Sequence, residues 1–93
     1  MVVGVVSARL FIRSSRSLKE KRQVVNSLKE RLRAKFNVSV SEVKYQNEHQ
    51  IAGLGVATVG SDRSVVEKTI QMVKMFLEGQ PQATLSGLEC EYY

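Results

Sequence analysis

Val38-Ser-Val-Ser-Glu-Val-Lys-Tyr-Gln46, the turn Gln46-Asn-Glu-His49 and Gln50-Ile-Ala-Gly-Leu-Gly-Val-Ala-Thr-Val59 decide the fold of this chain. The first segment alternates imperfectly between apolar and polar residues. The last is almost wholly apolar, and both hold the β-branched residues that strands favour. Together they read as a hairpin of strands 2 and 3. A helical pattern lies on each side of it. Upstream, the strand-like run Val2–Ile12 leads into a helix over Leu18–Phe36. Downstream, a helix capped by Ser61 or Asp62 runs to about Glu78, and Thr84–Tyr93 reads as a last strand. Gly79 stands where a helix stop wants a left-handed residue, with Pro81 just beyond. A hairpin between two strand–helix units is the split βαβ pattern. It predicts one domain over residues 1–93, a ferredoxin-like βαββαβ sandwich with a four-stranded antiparallel sheet and two helices on one face. Strands 1 and 3, which hold Val-Val-Gly-Val-Val and Ile-Ala-Gly-Leu-Gly-Val-Ala, belong at the centre. Strands 2 and 4 carry Glu42 with Lys44, and Glu89 with Glu91. Charge there suits edges, where it deters strand addition.

Length sets the scale. At 93 residues the core is real but modest, with little room for a deep cleft. No apolar run is long enough to span a bilayer, so no membrane partner is expected. The N-terminal Met-Val-Val-Gly-Val-Val-Ser lacks a basic region before its apolar stretch and reads as a strand, not a signal peptide. Cys90 is the single cysteine, which excludes an internal disulfide and fits the cytoplasm.

Charge is segregated along the chain. Residues 1–35 hold ten Lys/Arg and two Glu, a net of +8. Residues 36–93 hold four Lys/Arg and seven Asp/Glu, a net of −3, which together give the overall +5. A directional field of this kind steers polyanions. Its focus is Ser15-Arg-Ser-Leu-Lys-Glu-Lys-Arg22. Ser17 and Glu20 have capping-box spacing, so the helix starts at Leu18. Arg16, Lys19, Lys21 and Arg22 crowd its first turn and approach. Cations are disfavoured at the positive end of a helix dipole, and an anion bound there would reverse that cost. The motif reads as an anion site, most naturally for phosphate, with Arg13 close before it.

Leu18, Val25, Leu28, Leu32 and Phe36 fall within about an 80° arc of the first helix, its core stripe. Arg22, Lys29 and Arg33 form the neighbouring stripe, with Lys19 beside it. Lys21 falls inside the apolar arc. Two readings of it stay open: the side chain snorkels to water, or it holds a bound anion at a fixed place. In the second helix Val66, Ile70, Val73 and Leu77 make one apolar row, and Val65, Thr69, Met72 and Phe76 the next. Met72 and Met75 read as gap-filling core.

Strand 1 alternates Val6, Ala8, Leu10 and Ile12 on the face toward the helices with Val5, Ser7, Arg9, Phe11 and Arg13 on the open face. An aromatic between arginines on a bare sheet resembles RNA-recognition surfaces, where the ring stacks a base. A partly apolar open face is also a dimer surface, and a homodimer is the favoured reading. The two uses compete for Arg9 and Phe11.

Catalytic constellations are not evident. His49 falls in a turn. No Cys/His cluster offers a zinc site, so no metal or cofactor is expected. Asp62 reads as a helix cap. Ser14, Ser15 and Ser17 have no base within local reach. Gly53 and Gly55 alternate within a strand, which marks close approach across a sheet face and not a phosphate loop.

Arg16-Ser-Leu-Lys-Glu-Lys-Arg22, Phe36-Asn-Val-Ser-Val-Ser-Glu42, and Leu54-Gly-Val-Ala57 followed by Asp62 resemble the YlxP-like family of small bacterial proteins, over essentially the whole chain. The resemblance implies a ferredoxin-like sandwich. It also implies a genomic neighbourhood of translation-initiation and ribosome-maturation factors, which is association and not mechanism. It brings no catalytic residues. Three functions remain open: a non-catalytic RNA-binding accessory factor of the ribosome or its precursors, a homo-oligomeric interaction module, and a domain for a small phosphorylated ligand. The first is the expectation. Its residues are Arg13, Arg16, Ser17, Lys19, Lys21, Arg22, Lys29 and Arg33, with Arg9 and Phe11 as sheet-face contacts.

Overall fold

A computed structural model describes residues 1–93. Its elements are β1 (Val2–Phe11), α1 (Leu18–Lys35), β2 (Ser39–Lys44), β3 (Ile51–Gly60), α2 (Arg63–Glu78) and β4 (Thr84–Tyr92). The sheet is antiparallel with strand order β2-β3-β1-β4. This is the ferredoxin-like α+β sandwich, with β1 and β3 central and the charged strands at the edges.

Local chemistry sets both helix starts. The Ser17 hydroxyl accepts the Glu20 amide at 3.1 Å, and the Asp62 carboxylate accepts the Val65 amide at 3.1 Å. The Ser64 hydroxyl also donates to Asp62 Oδ1 at 2.6 Å. These bonds stabilise the charged form, so the Asp62 pKa lies below its usual 3.8. Gly79 does end α2, but at φ −88° and not in the left-handed region. Its amide still reaches the Met75 carbonyl, so no positive φ is needed.

The core is one cluster of 16 buried apolar residues between the helices and one sheet face. Val6, Ala8, Leu10 and Ile12 come from β1, and Ala52, Leu54 and Val56 from β3. Helix α1 adds Val25, Leu28 and Leu32, and α2 adds Val66, Ile70, Val73 and Leu77. Fully burying a side chain of this size contributes about 1.5–3 kcal/mol. Met72 and Met75 are corrections to the sequence reading: they are 43% and 67% exposed. Helix α2 buries only its Val66-Ile70-Val73-Leu77 row. Its second row lies at the rim, where Phe76 meets Phe36 edge to face at a centroid distance of 6.2 Å.

Candidate nucleic-acid interface

The cation-bearing end of the molecule is built where β1 leaves the sheet, α1 begins and the β2–β3 hairpin turns. The Gln50 side-chain amide donates to Arg13 O at 3.1 Å and Ser15 O at 3.3 Å, tying the hairpin turn to the loop before α1. Ser15 is buried, and its hydroxyl donates to Ser17 O at 3.0 Å. The cap of α1 is therefore held from both sides.

Lys21 is the central finding at this end. Its side chain is 0% exposed. The ammonium donates to Tyr45 O at 2.7 Å and Ile51 O at 3.0 Å, and it lies 2.8 Å from Glu42 Oε2. That Glu42 oxygen is buried, has no aligned hydrogen-bond donor, and is compensated by the Lys21 charge. Three oxygens thus occupy the ammonium. Lys21 neither snorkels nor faces a ligand, and it leaves the anion-binding set. Its place inside the apolar arc has a structural cause: it ties the first turn of α1 to the β2–β3 hairpin. The hairpin presents its carbonyl through Tyr45, the one non-glycine residue with positive φ, at 61°.

The other predicted cations divide into two groups. Arg13, Arg16, Lys19 and Arg22 are exposed, and neither of the chain's two ion pairs, Lys21–Glu42 and Arg63–Glu67, involves them. Arg13 does lie 5.9 Å from the Phe11 ring centre. Lys29 is half-buried along the same helix. Arg33 is exposed but engaged, donating to Val40 O at 2.9 Å, so it fastens α1 to edge strand β2.

Arg9 and Phe11 stand on the open sheet face as expected, Arg9 exposed and Phe11 half-buried. Arg9 is also engaged. Its guanidinium donates to Ser86 Oγ at 3.2 Å and Ser86 O at 3.3 Å, across the irregularity where β4 passes Arg9. A shallow groove of about 290 Å³ lies on this face, lined in part by Ser7, Arg9, Lys44, Tyr45, Gly53 and Glu89. Lys44 is a cation the sequence reading did not include. The β2 irregularity between Glu42 and Lys44 turns it over Gly53, where an added Cβ would lie 2.7 Å from Lys44 Cβ. The alternating glycines of β3 were the available signal, since they mark a close approach to the neighbouring strand.

No group of three or more His, Cys, Asp or Glu side chains is placed to hold a metal ion. No helix is long and apolar enough to cross a membrane. The geometry defines a small ferredoxin-like protein with four exposed cations outside any ion pair, Arg13, Arg16, Lys19 and Arg22, around the start of α1. The chain belongs to the family described as protein of unknown function DUF503, which matches residues 3–90. It is 35% identical over 92 residues to the uncharacterized protein YlxP of Bacillus subtilis (strain 168), spanning 99% of this chain and 100% of that one. The resemblance read from Arg16–Arg22 and its companion motifs is thus a true family relationship. Among solved structures, the de novo designed protein Foldit4 is similar in fold, with a TM-score of 0.54 and 11% identity over 100% of this chain and 97% of that one.

Proposed function

We propose that this protein is a non-catalytic RNA-binding accessory factor of the cytoplasm, acting on structured RNA such as that of the ribosome or its precursors. The observation that carries the reading is the set Arg13, Arg16, Lys19 and Arg22: four exposed cations around one capped helix start, none in an ion pair. Exposed cations spread around a helix start suit an extended polyanion. A small phosphorylated ligand would need an enclosing pocket, and the groove on the sheet face is not at this helix start. Phosphate contacts of this kind position a protein without reading sequence.

The test is a titration of labelled structured RNA at two salt concentrations, with wild type and the variant Arg16→Ala, Lys19→Ala, Arg22→Ala. Wild-type binding weakens as salt rises, and the variant loses affinity alike for all sequences. The variant's salt slope falls by about 0.7–0.9 per lost phosphate contact. Equal affinity of variant and wild type refutes the reading.

A specific observation favours self-association for the sheet face. Val3, Val5 and Phe11 are half-buried there, Val59 is 50% exposed, and no element of the chain covers them. A homodimer through this face leaves the helix-1 end free for RNA.

A further inference from the structure

The open sheet face is not uniform along its strands. Val3 and Val5 on β1, with Val59 on β3, make it apolar at the end where β1 begins. Toward the β2–β3 hairpin the same face carries Arg9, Lys44 and Tyr45 around the shallow groove, with Glu89 on its β4 side. The groove occupies about 290 Å³, at the low end of the ~300–1,000 Å³ of small-molecule sites. It has room for one small planar group.

Arg9 is set in place before any ligand arrives. Its Nε and Nη2 donate to Ser86, and the guanidinium lies over Gly87, where an added Cβ would stand 3.5 Å from Nη2. Hydrogen bonds to a guanidinium lie near its plane, so these leave its faces for a stacked ring. Lys44 lies over Gly53 on the other side of the groove. Glu89 is exposed and belongs to neither ion pair, so its carboxylate is a free acceptor. A carboxylate beside two cations disfavours a bare anion. It suits a planar group that carries amino donors on one edge and a negative group attached, which is the chemistry of a nucleotide.

The groove also adjoins the cations of α1. Lys21 fastens the first turn of that helix to the carbonyl of Tyr45, a residue of the groove. Along β1 the face continues from Arg9 to Phe11, with the Arg13 guanidinium 5.9 Å from the Phe11 ring centre. We infer that the groove seats one unpaired nucleotide of an RNA whose neighbouring phosphates lie on the cations at the start of α1. The base stacks on the Arg9 guanidinium, Lys44 meets the adjoining phosphate, and the Glu89 carboxylate accepts from an amino group of the base. The inference rests on the RNA-binding reading above and adds the kind of RNA, one that offers a single-stranded loop with an amino-bearing base. It assigns the groove end of the face to RNA and leaves the end at Val3, Val5 and Val59 to self-association.

The experiment is fluorescence anisotropy on the full chain with three labelled RNAs of equal phosphate number. One is a fully paired duplex, and the others share a hairpin stem closed by an all-cytosine or an all-uracil loop. The proteins are wild type, Arg9→Met and Glu89→Gln, with circular dichroism to confirm folding. Wild type binds the cytosine loop about fivefold or more tighter than the uracil loop, because uracil places a carbonyl oxygen where cytosine has its amino group. Arg9→Met weakens loop binding by about 5- to 150-fold, the span of one lost base stack, and weakens duplex binding far less. Glu89→Gln still binds the loops and loses the preference for cytosine, since an amide both donates and accepts. The comparison of cytosine with uracil needs no variant, so it decides the matter even if Arg9→Met does not fold. Three results each overturn the nucleotide seat and leave RNA binding at the helix start standing. They are equal binding of the two loops by wild type, equal weakening of loop and duplex by Arg9→Met, and a cytosine preference that survives in Glu89→Gln. A wild type that binds none of the three RNAs overturns both readings.

Discussion

Lys21→Met retains the length of the side chain and removes its charge and donors. In the folded protein the change strips the partner from the carbonyls of Tyr45 and Ile51 and leaves the Glu42 carboxylate facing no cation. Removing one member of a buried ion pair costs about 3–5 kcal/mol. The Glu42 side chain is 15% exposed and retains some contact with water, so the lower end, ~3 kcal/mol, applies. In a domain of this size a loss of ~3 kcal/mol lowers the unfolding midpoint by about 12–24 °C. Glu42→Met is also destabilising, because it leaves a buried ammonium with carbonyl partners alone. The double variant removes both charges and orphans only the two carbonyls. Its loss falls short of the sum of the single losses by about 2–3 kcal/mol. Urea unfolding followed by circular dichroism measures all four proteins. If Lys21→Met falls within about 1 kcal/mol of wild type, or the two losses add, Lys21 is not the tie described above.

Two further outcomes follow from particular contacts. Gly53→Ala forces Lys44 Cβ away from 2.7 Å and opens the β2 irregularity, costing about 1–3 kcal/mol; a thermal midpoint equal to or above wild type would contradict that packing. Asp62 has a folded pKa held below 3.8 by its bonds from Ser64 and Val65, so its contribution is present above 3.8 and is lost as pH falls through the folded value. Asp62→Asn cannot titrate. The midpoint difference between wild type and Asp62→Asn should therefore shift against wild type in acid, and a difference constant with pH would refute the assignment.

Much of the fold was legible because its signals are local or periodic. The capping spacing at Ser17 and the apolar arc of α1 place that helix to within a residue of its observed end. Charge on β2 and β4 identifies the edges. The failures were in three dimensions. Lys21 within an apolar arc signals an anomaly, but its solution needs the carbonyls of Tyr45 and Ile51, 24 and 30 residues away, and a backbone turn at Tyr45. Two neighbouring apolar rows on α2 fit either rotation of the helix, and only packing on β1 and β3 shows that Met72 and Met75 stay outside. Arg33 and Arg9 look like free cations in sequence. Their bonds to Val40 and Ser86 depend on which strand lies beside them.

The buried ammonium also governs motion at the cation-bearing turn. Helix ends ordinarily fray, and a frayed turn must be ordered when it meets a ligand. Here the first turn of α1 is moored from beneath to two carbonyls and a carboxylate. Arg16, Lys19 and Arg22 accordingly project from a rigid base, so the proposed contact with RNA would restrict their side-chain rotamers while the backbone is already set. Under the proposed function, RNA capture would proceed without a preceding folding step, at a rate governed by diffusion and the long-range field of the protein. The two bonded amides of this turn, Glu20 and Lys21, should exchange with solvent slowly even in the free protein, at a rate set by opening of the whole domain and not by local fraying.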